Sequence, residues 1–176
     1  NGPLDMRMDP SLGVRAIDLV NVLLRKELYE LFSKLGEEKL AGPIASALVL
    51  ARPLGIKTTE DLADLVLGVY RKHGFFNSKT NPATKVFQAL RIAVNGELDS
   101  LEEALTQALE VLEKNGIIVM ISFHSLEDRI IKYTFKKWQD LGFGHVKSKK
   151  PISPSALELE TNPRSRSSKL RVFNKT

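Results

Sequence analysis

The sequence predicts a mixed α/β fold, in which a long helical segment precedes a shorter segment that contains strands. Apolar residues recur at spacings of three and four from residue 17 to residue 35, and similar spacing returns in later stretches up to residue 112. The pattern changes at residues 117–121, where the apolar run IIVMI shows no alternation. Such a run predicts a strand that is buried on both faces and paired on both edges, as in α/β sheets.

Turn-forming and capping residues divide the helical segment into shorter helices. Residues 16–35 form the first helical stretch, and a break is expected at residues 26 and 27. The next helix covers residues 37–51 or begins near Pro43, because proline is tolerated only in the first turn of a helix. Thr58 or Thr59 is expected to cap the third helix.

Two further helices follow, separated by Gly96, and Asn115-Gly116 is expected to end the second of them. After the strand, the pattern predicts a helix over about residues 126–141 and weaker strands near residues 145–148 and 169–173. A loop rich in Pro and Ser is expected between these two strands.

Composition excludes several classes of function. The chain has 176 residues, which is enough for one domain or for one domain with a subdomain. It contains no Cys, so disulfides, zinc–thiolate sites and thiol catalysis are excluded. Its three histidines lie far apart in sequence, and no metal site is expected. No apolar run approaches the length of about 18–20 residues that spans a membrane, so a cytoplasmic protein without membrane contact is expected.

Charge is distributed unevenly along the chain. The formal net charge is +5, but residues 97–128 carry eight acidic groups against one basic group, whereas residues 129–176 carry twelve basic groups against three acidic ones. A basic C-terminal quarter suits a surface that contacts nucleic-acid phosphates, and an ordinary solvated lysine-rich surface is the alternative.

Four sequence strings contain the residues that are suited to chemistry. Each string also has a plain structural interpretation: a surface hairpin with ion pairs, a helix N-cap, a half-buried histidine or an exposed basic loop. The strings are GPLDMRMD at residues 2–9, NPATKVFQALRIAVN at 81–95, SFHSLEDRIIK at 122–132 and NPRSRSSKLRV at 162–172.

Taken together and in this order, the four strings closely resemble the MraW/RsmH family of S-adenosylmethionine-dependent small-subunit (16S) rRNA cytosine-N(4) methyltransferases. LGEEKLA at residues 35–41 and KKPISPS at 149–155 support the resemblance more weakly. The resemblance covers nearly the whole chain and corresponds to the C-terminal two-thirds of the family.

This resemblance implies the C-terminal remnant of a Rossmann-like methyltransferase sheet plus an α-helical insertion domain. Residues 1–10 would be an active-site segment of the methyltransferase domain, residues 11–95 the helical substrate-binding insertion, and residues 96–176 the C-terminal part of the methyltransferase domain. The implied cofactor is S-adenosyl-L-methionine. In the family its glycine-rich loop precedes GPLDMRMD, so no cofactor-binding residue is expected in this chain, and the chain alone is expected to be inactive.

The resemblance also implies roles for individual residues. A methyltransferase must place the exocyclic amine of cytosine in line with the donor methyl group and must accept a proton from it. The catalytic candidates are Asp5, His124, Glu127 and Asp128, and the sequence does not decide which of them accepts the proton. The candidates for substrate binding are Arg7, Asp9, Ser122, Phe123, Ser125, Arg129, Asn162, Arg164 and Arg166, among which Phe123 has core packing as its alternative.

The sequence departs from the family pattern at two places. Gly42, Pro43 and Ser46 stand where the family usually has basic residues, which weakens an RNA contact from that helix, and Asn81 stands where His is common. The expected partner is small-subunit rRNA or the small ribosomal subunit, and the oligomeric state is left open, with a homodimer as one option. The alternatives are a standalone helical RNA-binding module without catalytic activity and a helical protein-interaction domain.

Overall fold

The computed structural model describes residues 1–75 and 81–176 of the chain. These residues form two compact units, Asn1–Glu97 and Leu98–Thr176, and each unit has its own hydrophobic core. No helix in the described ranges combines the length and the apolar character that a membrane crossing requires.

The first unit is helical. Its helices are α1 (Ala16–Val22), α2 (Arg25–Lys34), α3 (Ala41–Ala51), α4 (Thr59–Lys72) and α5 (Thr84–Asn95), with a 3₁₀ turn at Arg52–Leu54 after α3. Their apolar stripes meet in a core around Leu28, Phe32, Leu48 and Leu62, none of which is exposed. The helical period read from the sequence is therefore confirmed for this unit.

Most helix ends in this unit lie where the sequence predicts them. Thr58 caps α4, and its hydroxyl accepts a hydrogen bond from the Asp61 backbone N–H over 3.1 Å. The helix α3 begins two residues before Pro43, in agreement with the later of the two predicted starts. The predicted break between two helices is present, but it lies at Leu23 and Leu24 and not at residues 26 and 27. The Glu27 carboxylate accepts the Leu24 N–H, and α2 starts there.

The second unit is a small sheet covered by helices. It contains α6 (Glu97–Val111, whose first residue belongs to the first unit), α7 (Ser125–Asp140) and α8 (Ala156–Thr161), with a 3₁₀ helix at Pro163–Ser167. The strands are β1 (Ile117–Ser122), β2 (Gly144–Val146) and β3 (Lys169–Lys175). The sheet order is β1-β3-β2 and both pairings are antiparallel, with Ile118 opposite Phe173 and Val146 opposite the same residue.

An aromatic cluster joins the helices to the sheet in the second unit. Phe135 and Trp138 of α7 pack against Phe173 of β3, with ring centroids 5.3–5.5 Å apart. Leu105 of α6 and Ile118 of β1 complete this core. Burying three aromatic rings supplies much of the apolar area that such a small sheet needs for stability.

The prediction that the IIVMI strand is buried on both faces and paired on both edges is wrong for the described residues. Ile117, Val119 and Ile121 are each more than half exposed, whereas Ile118 and Ser122 face the helices and are buried. Among the described residues β1 pairs only with β3. The two faces of β1 are equally apolar, and only one is covered by α6 and α7. The sequence pattern therefore does not reveal which face is buried.

Two further predictions about the second unit are corrected. The helix α6 ends at Val111, four residues before Asn115, whose backbone is left-handed in the turn that leads into β1. The predicted loop between β2 and β3 contains α8. The Ser155 hydroxyl accepts the Glu158 N–H at the start of α8, and the spacing of these two residues in the sequence is a cap signal that was missed.

Candidate active-site segments

The N-terminal segment of the first unit is organised by an ion pair between Asp5 and Arg7. The Arg7 Nε atom lies 2.7 Å from Asp5 Oδ1, and Arg7 Nη2 lies 2.9 Å from Asp5 Oδ2, so the contact is bidentate. The Arg7 Nη1 atom donates to the carbonyls of Pro10 and Leu12 over 2.8 and 2.7 Å. The side chain of Arg7 therefore holds the loop of residues 5–12 in one shape, in addition to the phosphate-binding role expected for it.

The carboxylates of this segment are held in their charged form. The hydrogen bond from Arg7 lowers the pKa of Asp5, and the backbone N–H of Ser11 lowers the pKa of Asp9 by hydrogen bonding to its carboxylate. The Asp9 Oδ1 atom accepts that N–H over 2.8 Å, in a local turn at an exposed position. Both groups are thus available as anions at neutral pH.

Asn95, which was not among the candidate residues, fixes the same segment to the end of α5. Its carboxamide oxygen accepts the Met8 N–H over 2.7 Å, and its Nδ2 atom donates to the Met6 carbonyl over 2.9 Å. Met6 has a φ of 69°, which is the left-handed region that non-glycine residues rarely adopt. The carboxamide of Asn95 therefore stabilises a strained backbone next to Asp5. Its place in the string FQALRIAVN was the available signal.

In the second unit, His124 and Glu127 form the cap of α7. The Nδ1 atom of His124 accepts the Glu127 N–H over 3.3 Å, and the Glu127 carboxylate accepts the backbone N–H groups of Phe123 and His124 over 2.8 and 3.3 Å. The Nε2 atom of His124 lies 3.4 Å from Glu127 Oε1. The Nδ1 lone pair of His124 is therefore engaged by the helix cap, and the residue must give up this hydrogen bond to accept a proton there.

The neighbours of this cap differ in exposure. Ser122 is buried at the end of β1, where its hydroxyl lies 3.4 Å from the Lys169 carbonyl. Phe123 is 56% exposed and does not belong to the core, so the core-packing alternative does not hold for it. Ser125 is half-buried at the first position of α7, and Arg129 is exposed one turn later.

Asp128 faces the sheet and is buried in an ion-pair network. Arg171 Nε donates to Asp128 Oδ1 over 2.7 Å, Arg171 Nη2 lies 3.3 Å from Oδ2, and Lys169 Nζ lies 3.0 Å from Oδ2. Burial alone would raise the pKa of Asp128, but the hydrogen bonds from Arg171 and Lys169 outweigh it, and the pKa is lowered. Lys169 and Arg171 were not predicted as site residues, although both lie in the string NPRSRSSKLRV.

The C-terminal string covers the 3₁₀ helix Pro163–Ser167 and the first residues of β3. The Asn162 carbonyl accepts both the N–H and the hydroxyl of Ser165, over 2.9 and 2.8 Å, which buries Ser165 and shapes the turn. Arg164 and Arg166 are exposed on either side of Ser165. This arrangement leaves both guanidinium groups at the surface of the second unit.

The structure thus brings the predicted residues together within each unit. Asp5, Arg7 and Asp9 share one loop in the first unit, while the stretch 122–129 contacts β3 through Ser122 and Asp128 in the second. Most of these hydrogen bonds have a structural role. They hold the loop that carries Asp5, cap α7 at His124, and join Asp128 of α7 to Arg171 of β3. These bonds fix rigid positions for the remaining exposed groups, which is what a site that orients its substrate requires.

Comparisons with known proteins agree with the resemblance of the four strings. Ribosomal RNA small subunit methyltransferase H of Sulfurihydrogenibium sp. (strain YO3AOP1) is 50% identical over 173 residues, which is 96% of this chain and 58% of that protein. The protein of the same name from Coprothermobacter proteolyticus is 47% identical over 175 residues, covering 99% of this chain and 57% of the relative. This chain therefore spans less than two thirds of the length of these curated relatives.

The family model described as the MraW methylase family matches residues 1–176. The sequence-based assignment is confirmed, and the chain belongs to the MraW methylase family.

Proposed function

We propose that the protein transfers a methyl group from S-adenosyl-L-methionine to the exocyclic N4 amine of a cytosine in small-subunit ribosomal RNA. The observation that carries the proposal is the family match over all 176 residues, together with the shared name of the relatives, ribosomal RNA small subunit methyltransferase H. The substrate is rRNA alone or within the small ribosomal subunit, and a ribosomal substrate places the activity in the cytoplasm.

The residues of this chain do not fit the donor. Within the described ranges no glycine-rich turn links a strand to a helix: the turn after β1 is Ser122-Phe123-His124, which is occupied by the cap of α7. S-adenosyl-L-methionine supplies an electrophilic methyl group, and we assign its binding to the part of the relatives' length that has no counterpart in these residues. The present chain then supplies the acceptor side of the site.

In this proposal the chain orients the cytosine and removes a proton from its amine. The amine must lose one proton when it gains the methyl group, so an acceptor must lie within hydrogen-bond reach. Asp5, His124 and Glu127 are the candidate acceptors, and Phe123 is exposed for stacking on the base. Asp128 acts through the sheet as a positioning residue, because both of its oxygens are already held by cations. Ser122 and Ser125 flank Phe123 and His124 at the start of α7, whereas Asp9 lies in the same loop as Asp5.

The basic residues complete the proposed RNA surface. Arg164, Arg166 and Arg129 are exposed in the second unit, and we propose that they contact rRNA phosphates, with Asn162 shaping the loop that carries two of them. Arg7 also faces RNA in this proposal, although most of its hydrogen bonds are made within its own loop.

We also propose that the three-stranded sheet is part of a larger Rossmann-like sheet. Within the described residues β1 has one edge without a strand partner, and Ile117, Val119 and Ile121 form an exposed apolar face on this strand. Both features support this view, because an exposed apolar edge strand is normally covered in a stable protein. Residues 1–10 then belong with the methyltransferase domain and residues 11–95 form the helical insertion. The domain assignment remains that predicted from the sequence.

A methyl-transfer assay tests the proposed function directly. The full-length protein is incubated with labelled S-adenosyl-L-methionine and either small-subunit rRNA or small subunits, and the RNA is digested and analysed for N4-methylcytosine by mass spectrometry. We expect incorporation that Asp5→Asn reduces at least tenfold. Asp18→Asn, which removes a similar exposed pair with Arg15 in the same unit, is the matched control. RNA binding without any methylated cytosine would instead favour the standalone RNA-binding module.

The pH dependence of the reaction separates Asp5 from His124 as the acceptor. The pKa of Asp5 is lowered by Arg7, so Asp5 stays ionised throughout the range from about pH 5 to pH 8. With Asp5 as the acceptor the single-turnover rate is therefore flat over this range. A histidine ordinarily titrates near pH 6.5, so with His124 as the acceptor the rate falls below about that pH.

A further inference from the structure

A cavity between α7, β2 and β3 combines a cationic rim with an apolar floor. Its volume is about 350 Å³. Lys132 and Lys136, one turn apart on α7, and Lys149, in the stretch after β2, form the rim. Val146 forms the floor with the buried Phe135 behind it, and Gln139 and Arg171 line the rest of the cavity. No carboxylate is among the described residues that line this cavity.

The rim carries charge that is not neutralised within the unit. Arg171 is matched by Asp128, but none of the three lysines is in an ion pair within the described ranges. All three lysines are exposed, and Lys132 Nζ lies 5.6 Å from the centroid of the Tyr133 ring. Three ammonium groups around one opening attract an anion, and a phosphate is an anion to which lysine binds readily.

The floor selects for an anion that also has a flat apolar part. Val146 is half-buried and presents an apolar surface beneath the rim, and Phe135, which is 1% exposed, belongs to the core that supports it. Gln139 Oε1 accepts the Val146 N–H over 3.0 Å, which fixes the distance between the two walls. A volume near the low end of ligand pockets, about 300–1,000 Å³, suits a single base and excludes a duplex.

We propose that this cavity binds one unpaired nucleotide of the RNA substrate, with the base against Val146 and the flanking phosphates on Lys132, Lys136 and Lys149. The inference rests on the proposed function, and it adds a contact site away from the residues assigned above to the reaction. A nucleotide held here anchors the single strand next to α7, the helix that also presents His124 and Glu127 at its N-terminus.

The test compares two triple variants of the full-length protein with equal charge. The pocket variant is K132Q/K136Q/K149Q, and the control is K26Q/K114Q/K137Q, which removes three exposed lysines outside the cavity. Affinity for a fluorescein-labelled single-stranded fragment of small-subunit rRNA is measured by anisotropy over a series of salt concentrations. Single-strand binding loses about 0.7 units of salt slope per lost phosphate contact, so we expect the slope to fall by about 2 for the pocket variant and to change little for the control.

A cross-linking measurement on the wild-type protein locates the base. RNA that carries 4-thiouridine is irradiated in the complex, and we expect cross-linked peptides from residues 132–149. Equal salt slopes for the two variants, cross-links confined to other segments, or binding of poly-glutamate as tight as that of RNA would each overturn the proposal. Methyl transfer is measured on the same preparations. If the wild-type protein transfers methyl groups and the pocket variant binds RNA and transfers methyl groups equally well, this inference alone is refuted. If the wild-type protein neither transfers methyl groups nor binds RNA, both this inference and the proposed function are refuted.

Discussion

Replacing Asp128 by Asn is predicted to destabilise the second unit strongly. The substitution keeps the shape of the side chain and removes its charge, which leaves the buried Arg171 without its anion. Arg171 is 6% exposed, so its guanidinium stays largely desolvated when the carboxylate charge is removed. Removing one partner of a buried ion pair costs about 3–5 kcal/mol, because the remaining charge stays desolvated.

The structure places the expected cost at the lower end of this range. Lys169, the second cation on Asp128, has a side chain that is 40% exposed and recovers hydration when the carboxylate is lost. We therefore expect Asp128→Asn to lower the free energy of unfolding by about 3 kcal/mol. Asp128→Leu combined with Arg171→Met is expected to cost much less than the two single changes together, since the only charge left without its partner is that of the partly exposed Lys169.

The single tryptophan gives an assay specific to this unit. Trp138 packs against Phe135 and Phe173 in the core beside the ion pair, so its fluorescence reports unfolding of the second unit during a urea titration. Glu30→Gln, which breaks the exposed pair with Lys34 in the first unit, is the control and leaves the Trp138 transition unchanged. An Asp128→Asn variant that unfolds at the wild-type urea concentration and yet fails to transfer methyl groups would refute the positioning role and make Asp128 a direct participant in the reaction.

The pH dependence of that difference follows from the sign of the pKa shift. The folded pKa of Asp128 lies below its ordinary value of 3.8, so its contribution to stability is complete above that pH. It is lost as the pH falls through the folded pKa. The difference between wild type and Asp128→Asn is accordingly constant from pH 7 to about pH 5 and shrinks below about pH 4.

Three further outcomes are expected. Asn95→Ala releases the backbone at Met6 and Met8, so we expect slower methyl transfer with an unchanged Trp138 unfolding transition, measured by single-turnover kinetics and urea titration. Gly144→Ala places a methyl group against the Asn174 carbonyl and the Phe173 ring, so the free energy of unfolding from the urea titration should fall by about 1–3 kcal/mol. Gly68→Ala, which has open space around its Cβ position in α4, is the control, and circular dichroism should show no destabilisation of the first unit. Arg164→Ala with Arg166→Ala should reduce the salt slope of RNA binding by about 1–2 units, and an unchanged slope would assign both residues a structural role.

Local signals in the sequence were sufficient for most elements of the fold. The cap at Thr58 and the left-handed Gly96 act on their nearest neighbours, so their effect is visible in the sequence itself. The exposure of Ile117, Val119 and Ile121 was not predictable, because the pattern of a strand records which residues are apolar and not what covers them. The break between α1 and α2 was predicted three residues too late, because two successive leucines give no indication of an extended backbone at Leu23 and Leu24.

The candidate site was predictable as a set of segments but not as a network. The four strings contain Asn95, Lys169 and Arg171 together with the predicted residues, yet nothing local distinguishes these three. Their partners lie 43 positions away for Arg171 and 89 positions away for the Asn95 contact with Met6. Long-range hydrogen bonds of this kind are determined by packing, which periodicity and spacing do not encode.

The adjacent carboxylates of Glu127 and Asp128 show how one short string serves two purposes. Successive residues of an α-helix are rotated by about 100°, so the two side chains leave α7 in different directions. Glu127 turns back to the helix cap at His124, whereas Asp128 turns to β3 and Arg171. One carboxylate therefore fixes where the helix begins, and the other fixes how the helix lies on the sheet. Together the two carboxylates hold the exposed residues of this stretch, such as Phe123, at a defined position. The proposed binding of a cytosine requires this rigidity.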